Sequence, residues 1–283
     1  MLYAALARLS GLVWGVGDFA GGKASQTAAA MPVTWLSKLI SLPLLAVYVA
    51  LTYVSPHPAS LSWGALGGAA GIVGLVLFYR ALSAGAMSVV APVTAVTAAA
   101  IPVAVGLATG DDTTGLRLLG VAFALVAIAL VSLSPPRPGE VRVVSALLLA
   151  MAIGSGLGFA VFFICLGRAG QVAGGTPGLW PVVASQLAGL VIGGAVLATH
   201  RRGRWPQSIA LRWTLVAGTF DMTANALYLV ASRNGELSVV APLAALGPVS
   251  TVILALIVDH ERMRPVQVLG FGMAVLALIL VNR

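Results

Sequence analysis

Apolar residues run through this chain in stretches of about 20, separated by short polar breaks. A helix of that length rises 1.5 Å per residue, enough to cross about 30 Å of hydrocarbon. Ten segments fit: 2–22, 32–54, 61–82, 87–108, 115–134, 143–167, 177–199, 209–231, 237–258 and 265–282. A transmembrane β-barrel needs strands of about ten residues that alternate apolar and polar, and these continuous runs exclude it. The connections are short, for example SAGAM at 83–87, TGDDTTG at 109–115 and DHERMR at 259–264. None can hold a soluble domain. The pattern predicts an all-α integral membrane protein with ten transmembrane helices, whose chemistry lies inside the helix bundle or at its mouths.

Composition agrees. Of 283 residues, 59% are hydrophobic and 8% charged, where soluble domains carry about 25% charged residues. The net charge of +8 does not point to nucleic acid. The basic residues stand singly or in short runs between apolar segments, as orientation signals do. Odd-numbered loops and their flanks hold ten Lys and Arg against five on the other side, with RRGR at 201–204 contributing much of the difference. The positive-inside rule then puts the odd loops in the cytoplasm and both termini outside, in the inner (cytoplasmic) membrane. The single cysteine, Cys165, excludes an intramolecular disulfide and a multi-cysteine metal site. The first segment has no basic stretch before its apolar core and more spans follow, so it reads as a span and not as a cleaved signal.

A repeat lies 150 residues apart. SVVAP at 88–92 recurs at 238–242. Without gaps, Ala81, Gly85 and Ala95 fall on Ala231, Gly235 and Ala245, and Leu119 and Gly120 fall on Leu269 and Gly270. The proline-rich SPPRPGEVR at 134–142 lies between the copies. The expected organisation is a first repeat at 1–134, a linker at 135–142 and a second repeat at 143–283. Five spans per half make the halves face opposite ways. Many secondary transporters use that inverted arrangement, with the substrate site near the midplane.

The repeated block carries a family resemblance. FYRALSAGAMSVVAPVTAVTAAAIPVAVGLATGDD (78–112) and LYLVASRNGELSVVAPLAALGPVSTVILALIVDHERMRPVQVLGFGMAVLALILV (227–281) resemble the EamA-type repeat of the drug/metabolite transporter (DMT) superfamily. Its marks are an aromatic-x-Ala-Leu element ending the third helix, a proline in the fourth, and an acidic residue before the fifth, here Asp111 and Glu261. WGVGDF at 14–19 resembles the tryptophan-glycine start of the family's first helix. The resemblance implies a transporter of small metabolites or drugs working by alternating access. It does not fix the substrate, because relatives export amino acids, drugs and other metabolites. Asp18 stands where the family more often has a neutral polar residue, and Gly-Asp-Asp where a glutamate is usual.

Polar residues at membrane depth are the candidate site. Asp221 lies mid-span in VAGTFDMTANALYLV, and a carboxylate there costs several kcal/mol unless it is paired, hydrated or protonated. Thr214, Gly218, Asp221, Asn225, Tyr228 and Ser232 share one helical face. Two readings stand: helix–helix hydrogen bonding around a buried ion pair, or the wall of a substrate cavity in which Asp221 binds an amine or a proton. In the first helix Arg8, Gly11, Gly15, Asp18 and Gly22 share a face. Asp18 either looks into the cavity and exchanges protons, or pairs near the surface with Lys23. Lys38 is expected to snorkel to the cytoplasmic face, with neutralisation of Asp18 or Asp221 as the alternative. Gln186 is a candidate cavity donor. Trp14, Trp35 and Trp180 line the cavity or anchor the interface. Pro92 and Pro242, with Pro102 and Pro248, interrupt helical hydrogen bonding and serve as hinges or fixed kinks.

The sequence favours a secondary transporter that exports its substrate against protons. No cofactor is implied. The expected partners are a small-molecule substrate, the lipid bilayer and protons, with no nucleic acid, in a monomer or homodimer. GxxxxGK[ST] is absent, which argues against ATP drive. A membrane-embedded enzyme needs paired catalytic groups at depth, but His57, His200 and His260 lie in or beside loops, and neither HExxH nor GxSxG occurs. A channel would want polar rings on several helices, whereas the polar content here sits on few.

Overall fold

The computed structural model describes residues 2–52, 54–83, 87–133, 145–172, 178–199, 204–259 and 264–281. The linker expected at 135–142, with His200, His260 and Glu261, lies outside them. The described residues form α1 (Leu2–Ser25), α2 (Ala30–Thr52), α3 (Pro58–Ser83), α4 (Met87–Ala108), α5 (Gly115–Val131), α6 (Ala146–Gly170), α7 (Trp180–Thr199), α8 (Ser208–Ser232), α9 (Leu237–Ala244), α10 (Gly247–Val258) and α11 (Pro265–Leu280). There is no strand among them.

The expected ninth helix is two segments, α9 and α10, broken at Ala245 and Leu246. The cause is local. Pro242 inside α9 and Pro248 in the first turn of α10 lack an N–H, which leaves carbonyls one turn earlier without a partner. Pro92 and Pro102 sit within α4 and leave it continuous. Of the four expected hinge or kink prolines, Pro242 and Pro248 flank a real interruption.

Six helical stretches are long and apolar enough to cross a membrane: α2, α3, α4, α6, α7 and α9–α10 taken together. The apolar helices α5 and α11 are shorter. The remaining two, α1 and α8, are 24 and 25 residues long, and they carry Asp18 and Asp221. Large apolar side chains such as Leu51, Val191, Ile209 and Leu269 point outward uncovered.

Small residues set the packing. The principal pairings are α1 with α8, α3 with α6 and α7, α5 with α11, and α4 with α6, followed by α1 with α10 and α2 with α8. A Cβ on Gly218 would fall on the Ser37 carbonyl of α2, and one on Gly68 on the Ser185 carbonyl of α7. These backbones touch because no side chain intervenes. On α3, Gly64 faces the Pro181 backbone of α7, while Gly67, Gly71 and Gly74 face α6. The α5–α11 contact is reciprocal. A Cβ on Gly120 would lie 3.0 Å from Leu280 Cβ and 2.8 Å from Val281 Cγ2, and one on Gly270 would lie 3.0 Å from Leu130 Cβ and 2.8 Å from Val131 Cγ2.

The polar stripe of α8 turns inward: Thr214, Asn225, Tyr228 and Ser232 are buried, and Leu211 and Leu215 point out. This packing brings the polar faces of α1, α2, α7 and α8 together.

Candidate functional site

Trp14 begins the network. Its indole N–H donates to Asp221 Oδ1 at 3.2 Å, joining α1 to α8. The other carboxylate oxygen, Oδ2, lies 3.9 Å from Lys38 Nζ on α2. Lys38 donates to Gln186 Oε1 on α7 at 2.9 Å. Gln186 Nε2 donates to Ser41 Oγ at 3.1 Å, and the Ser41 hydroxyl donates back to the Lys38 carbonyl at 2.8 Å. Four helices thus meet on one lysine and one carboxylate.

Lys38 does not take the snorkelling course expected of it. Its stem crosses Gly189 of α7, where an added Cβ would lie 3.3 Å from both Cδ and Cε. The missing side chain opens a path inward, and Asp221 and Gln186 receive the ammonium at its end. By helical rise, Lys38 sits about 12 Å from the start of α2 and Asp221 about 20 Å from the start of α8.

Asp18 is placed differently. It lies one turn on from Trp14, between Gly15, which faces Gly247 and Ser250 of α10, and Gly17, which faces α8, where an added Cβ would lie 3.2 Å from the Asp221 backbone nitrogen. Its side chain is exposed. It has no hydrogen-bond or ion-pair partner among the described residues, and it stands on the stretch of α1 that packs against α8 at Asp221. The alternative pairing with Lys23 is excluded, because Lys23 bonds Asp259 at 2.7 Å. Arg8 also leaves the Asp18 face, donating to the Leu278 carbonyl on α11 at 3.0 Å.

Asn225 and Tyr228 lie behind the site. Asn225 Nδ2 donates to the Asp221 carbonyl one turn earlier at 2.6 Å, and the Tyr228 hydroxyl donates to the Phe163 carbonyl of α6 at 2.9 Å. Both are buried, and the Asn225 amide N–H and the Tyr228 hydroxyl are given to backbone carbonyls. Trp14 packs in an aromatic group with Phe163 at 5.3 Å, Tyr228 at 5.8 Å and Phe162 at 6.3 Å between ring centres. Trp35 and Trp180 lie apart and donate to the Leu190 and Val54 carbonyls.

Sequence reasoning missed Ser41, Phe162 and Phe163. Ser41 stands one turn after Lys38 in WLSKLIS, so that spacing was a usable signal. The phenylalanines are ordinary apolar residues of an apolar helix and give none.

A second polar group joins the end of α4 to the starts of α5 and α9. Asp111 Oδ2 accepts from the Ser238 backbone N–H at 2.8 Å, in the first turn of α9. Thr113 donates to Glu236 at 2.8 Å, and Arg117 pairs with the same carboxylate at 3.9 Å.

Residues 147–283 match the EamA-like transporter family. The chain carries an EamA-like transporter domain. Its apolar helices and this family together make it a multi-pass membrane protein. The EamA-like domain supplies Gln186 and Asp221, while Trp14, Asp18 and Lys38 precede it. A solved structure described only as the crystal structure of a protein is similar over 99% of this chain and 98% of its own, with a TM-score of 0.79 at 14% identity. At that identity the likeness speaks for the fold alone. No curated protein matches the chain significantly.

Proposed function

We propose that the protein is a secondary transporter that moves a small metabolite or drug across the cytoplasmic membrane by alternating access, exporting it in exchange for protons. The observation that carries this reading is Asp18, an exposed carboxylate without a partner among the described residues, on the stretch of α1 that packs against α8. A lone charge within a membrane span is expensive. It therefore favours a state in which a proton or a substrate group satisfies it, and competition between the two is what couples their movements. The two halves are read as inverted repeats. The reciprocal contact of Gly120 and Gly270 with residues 150 positions apart supports that reading. The polar closure at Asp111, Thr113 and Glu236 fits a bundle shut at its outer end, with the odd-numbered loops cytoplasmic.

The test is flux in proteoliposomes under an imposed proton gradient, with amino acids, organic cations and sugars screened as substrates. Wild-type protein is expected to accumulate one class against its concentration gradient. Asp18→Asn is expected to exchange that solute down its own gradient but to lose the response to the proton gradient. Full proton drive in Asp18→Asn would remove Asp18 from coupling and take the antiport reading with it.

A further inference from the structure

We propose that Lys38 is a built-in counter-ion that fixes at one the positive charge the cavity accepts, so that the site takes a small monocation of the ammonium class at Asp18. This rests on the transporter reading above and names its substrate class.

The argument is a charge count. Asp221 is already served on both oxygens, by the Trp14 indole at 3.2 Å and by Lys38 at 3.9 Å. Lys38 is tethered by Gln186 at 2.9 Å and steered by Gly189, so its charge cannot leave with a substrate. Asp18 has neither service. The other charged groups of the surrounding helices are occupied or distant. Arg8 is held by the Leu278 carbonyl, Lys23 pairs with Asp259 at the ends of α1 and α10, and Arg212 on α8 is exposed. Among the described residues α9 has only the capping Glu236, which is held by Thr113 and Arg117, and α10 has only the capping Asp259. Counted with both carboxylates ionised, Asp18, Asp221 and Lys38 sum to one negative charge, and one proton or one ammonium group neutralises them. A dication would leave surplus positive charge beside Lys38, and an anion would add to the existing negative charge. Half-buried Trp14, one turn from Asp18, and half-buried Phe162 beside it would supply apolar and cation–π contact for the rest of such a ligand.

The test is calorimetric binding to the purified full-length chain with three probes. Benzyltrimethylammonium carries one fixed charge, para-xylylene-bis(trimethylammonium) carries two, and benzyl alcohol carries none. Wild type is expected to bind the monocation, with the dication and the alcohol at least about tenfold weaker, a difference of about 1.4 kcal/mol. Lys38→Gln is expected to shift the preference toward the dication by about tenfold or more, while Lys38→Arg keeps the wild-type order. Asp18→Asn should abolish monocation binding. Asp221→Asn should weaken it about tenfold although Asp18 is intact, because the freed ammonium then competes for Asp18.

Equal binding of monocation and dication by wild type would overturn the proposal, and that result needs no variant to fold. An unchanged order in a monodisperse Lys38→Gln protein would also overturn it. Flux of a neutral or anionic solute, with neither cation bound, would overturn this inference and leave the transporter reading standing. One-charge binding without any proton-driven flux would do the reverse.

Discussion

Gly218 and Gly22 carry the same single hydrogen and meet opposite surroundings. A Cβ on Gly218 would fall on the Ser37 carbonyl, where α2 and α8 touch, whereas a Cβ on Gly22 would meet nothing within 4 Å. Gly218→Ala must push two backbones apart and is expected to cost about 1–3 kcal/mol. Gly22→Ala adds helix propensity in open space and is expected to gain up to about 1 kcal/mol. Thermal unfolding in detergent should rank Gly22→Ala at or above wild type and Gly218→Ala below it. The reverse order would mean that the α2–α8 contact is looser than it looks. What was legible at this scale follows the same division between local and distant causes. Asp18 and Asp221 stand out because a carboxylate in an apolar run has a cost that sequence alone reveals. The inward course of Lys38 does not stand out. Its stem is long enough to reach either face, and the choice is made by Gly189 and by Gln186, 148 residues away. The arc of α8 was readable from spacing, but spacing does not tell an open wall from a closed one. Asn225 and Tyr228 turn out to be closed off.

Asp111 shows how an element's end is built from another element. The chain leaves α4 through a turn in which the Gly110 and Asp111 N–H groups bond the Leu107 and Gly106 carbonyls, with Gly110 at a φ of 98°. This left-handed position suits glycine. The turn carries the Asp111 carboxylate onto the open N–H of Ser238 in α9. An oxygen acceptor at a helix start is worth roughly 0.5–2 kcal/mol, with alanine as the reference. Asp111→Ala is therefore expected to lower stability by about that amount, and Asp111→Asn, which keeps an acceptor, by less. Equal losses in the two variants, read by thermal unfolding, would show that charge and not the hydrogen bond holds α9. The broken helix also belongs to this scale. The pentapeptide SVVAP stands at the start of both α4 and α9, yet only α9 breaks. The difference lies just downstream. Gly247 and Pro248 stand where the first half has Thr97 and Ala98, so α10 must start afresh at a residue pair that cannot continue α9. Both halves show proline, and only the pairing with a following Gly-Pro forecasts the interruption.

Across the whole molecule, the all-helical membrane class was the easiest thing to read, because bilayer thickness sets the length of most apolar runs, with α5 and α11 shorter. The proposed relation between the halves is harder, since it rests in sequence only on scattered identities. One contact in the structure fits it. Gly120 meets Leu280 and Val281 across the α5–α11 crossing, and Gly270 meets Leu130 and Val131 at the same separations. Each residue is met by the repeat counterpart of the other's neighbour, so a two-fold axis through the crossing would make the two glycines equivalent. Gly120→Ala and Gly270→Ala each place a methyl group 2.8 Å from a valine methyl and 3.0 Å from a leucine Cβ. Each is expected to cost about 1–3 kcal/mol, and the two costs should agree. Unfolding of the two single variants and the double variant would test the symmetry without reference to transport. Equal single losses fit inverted halves that share one crossing. A loss in one variant alone would mean that the halves have diverged at their seam, and that the agreement of the two distances does not extend to energy.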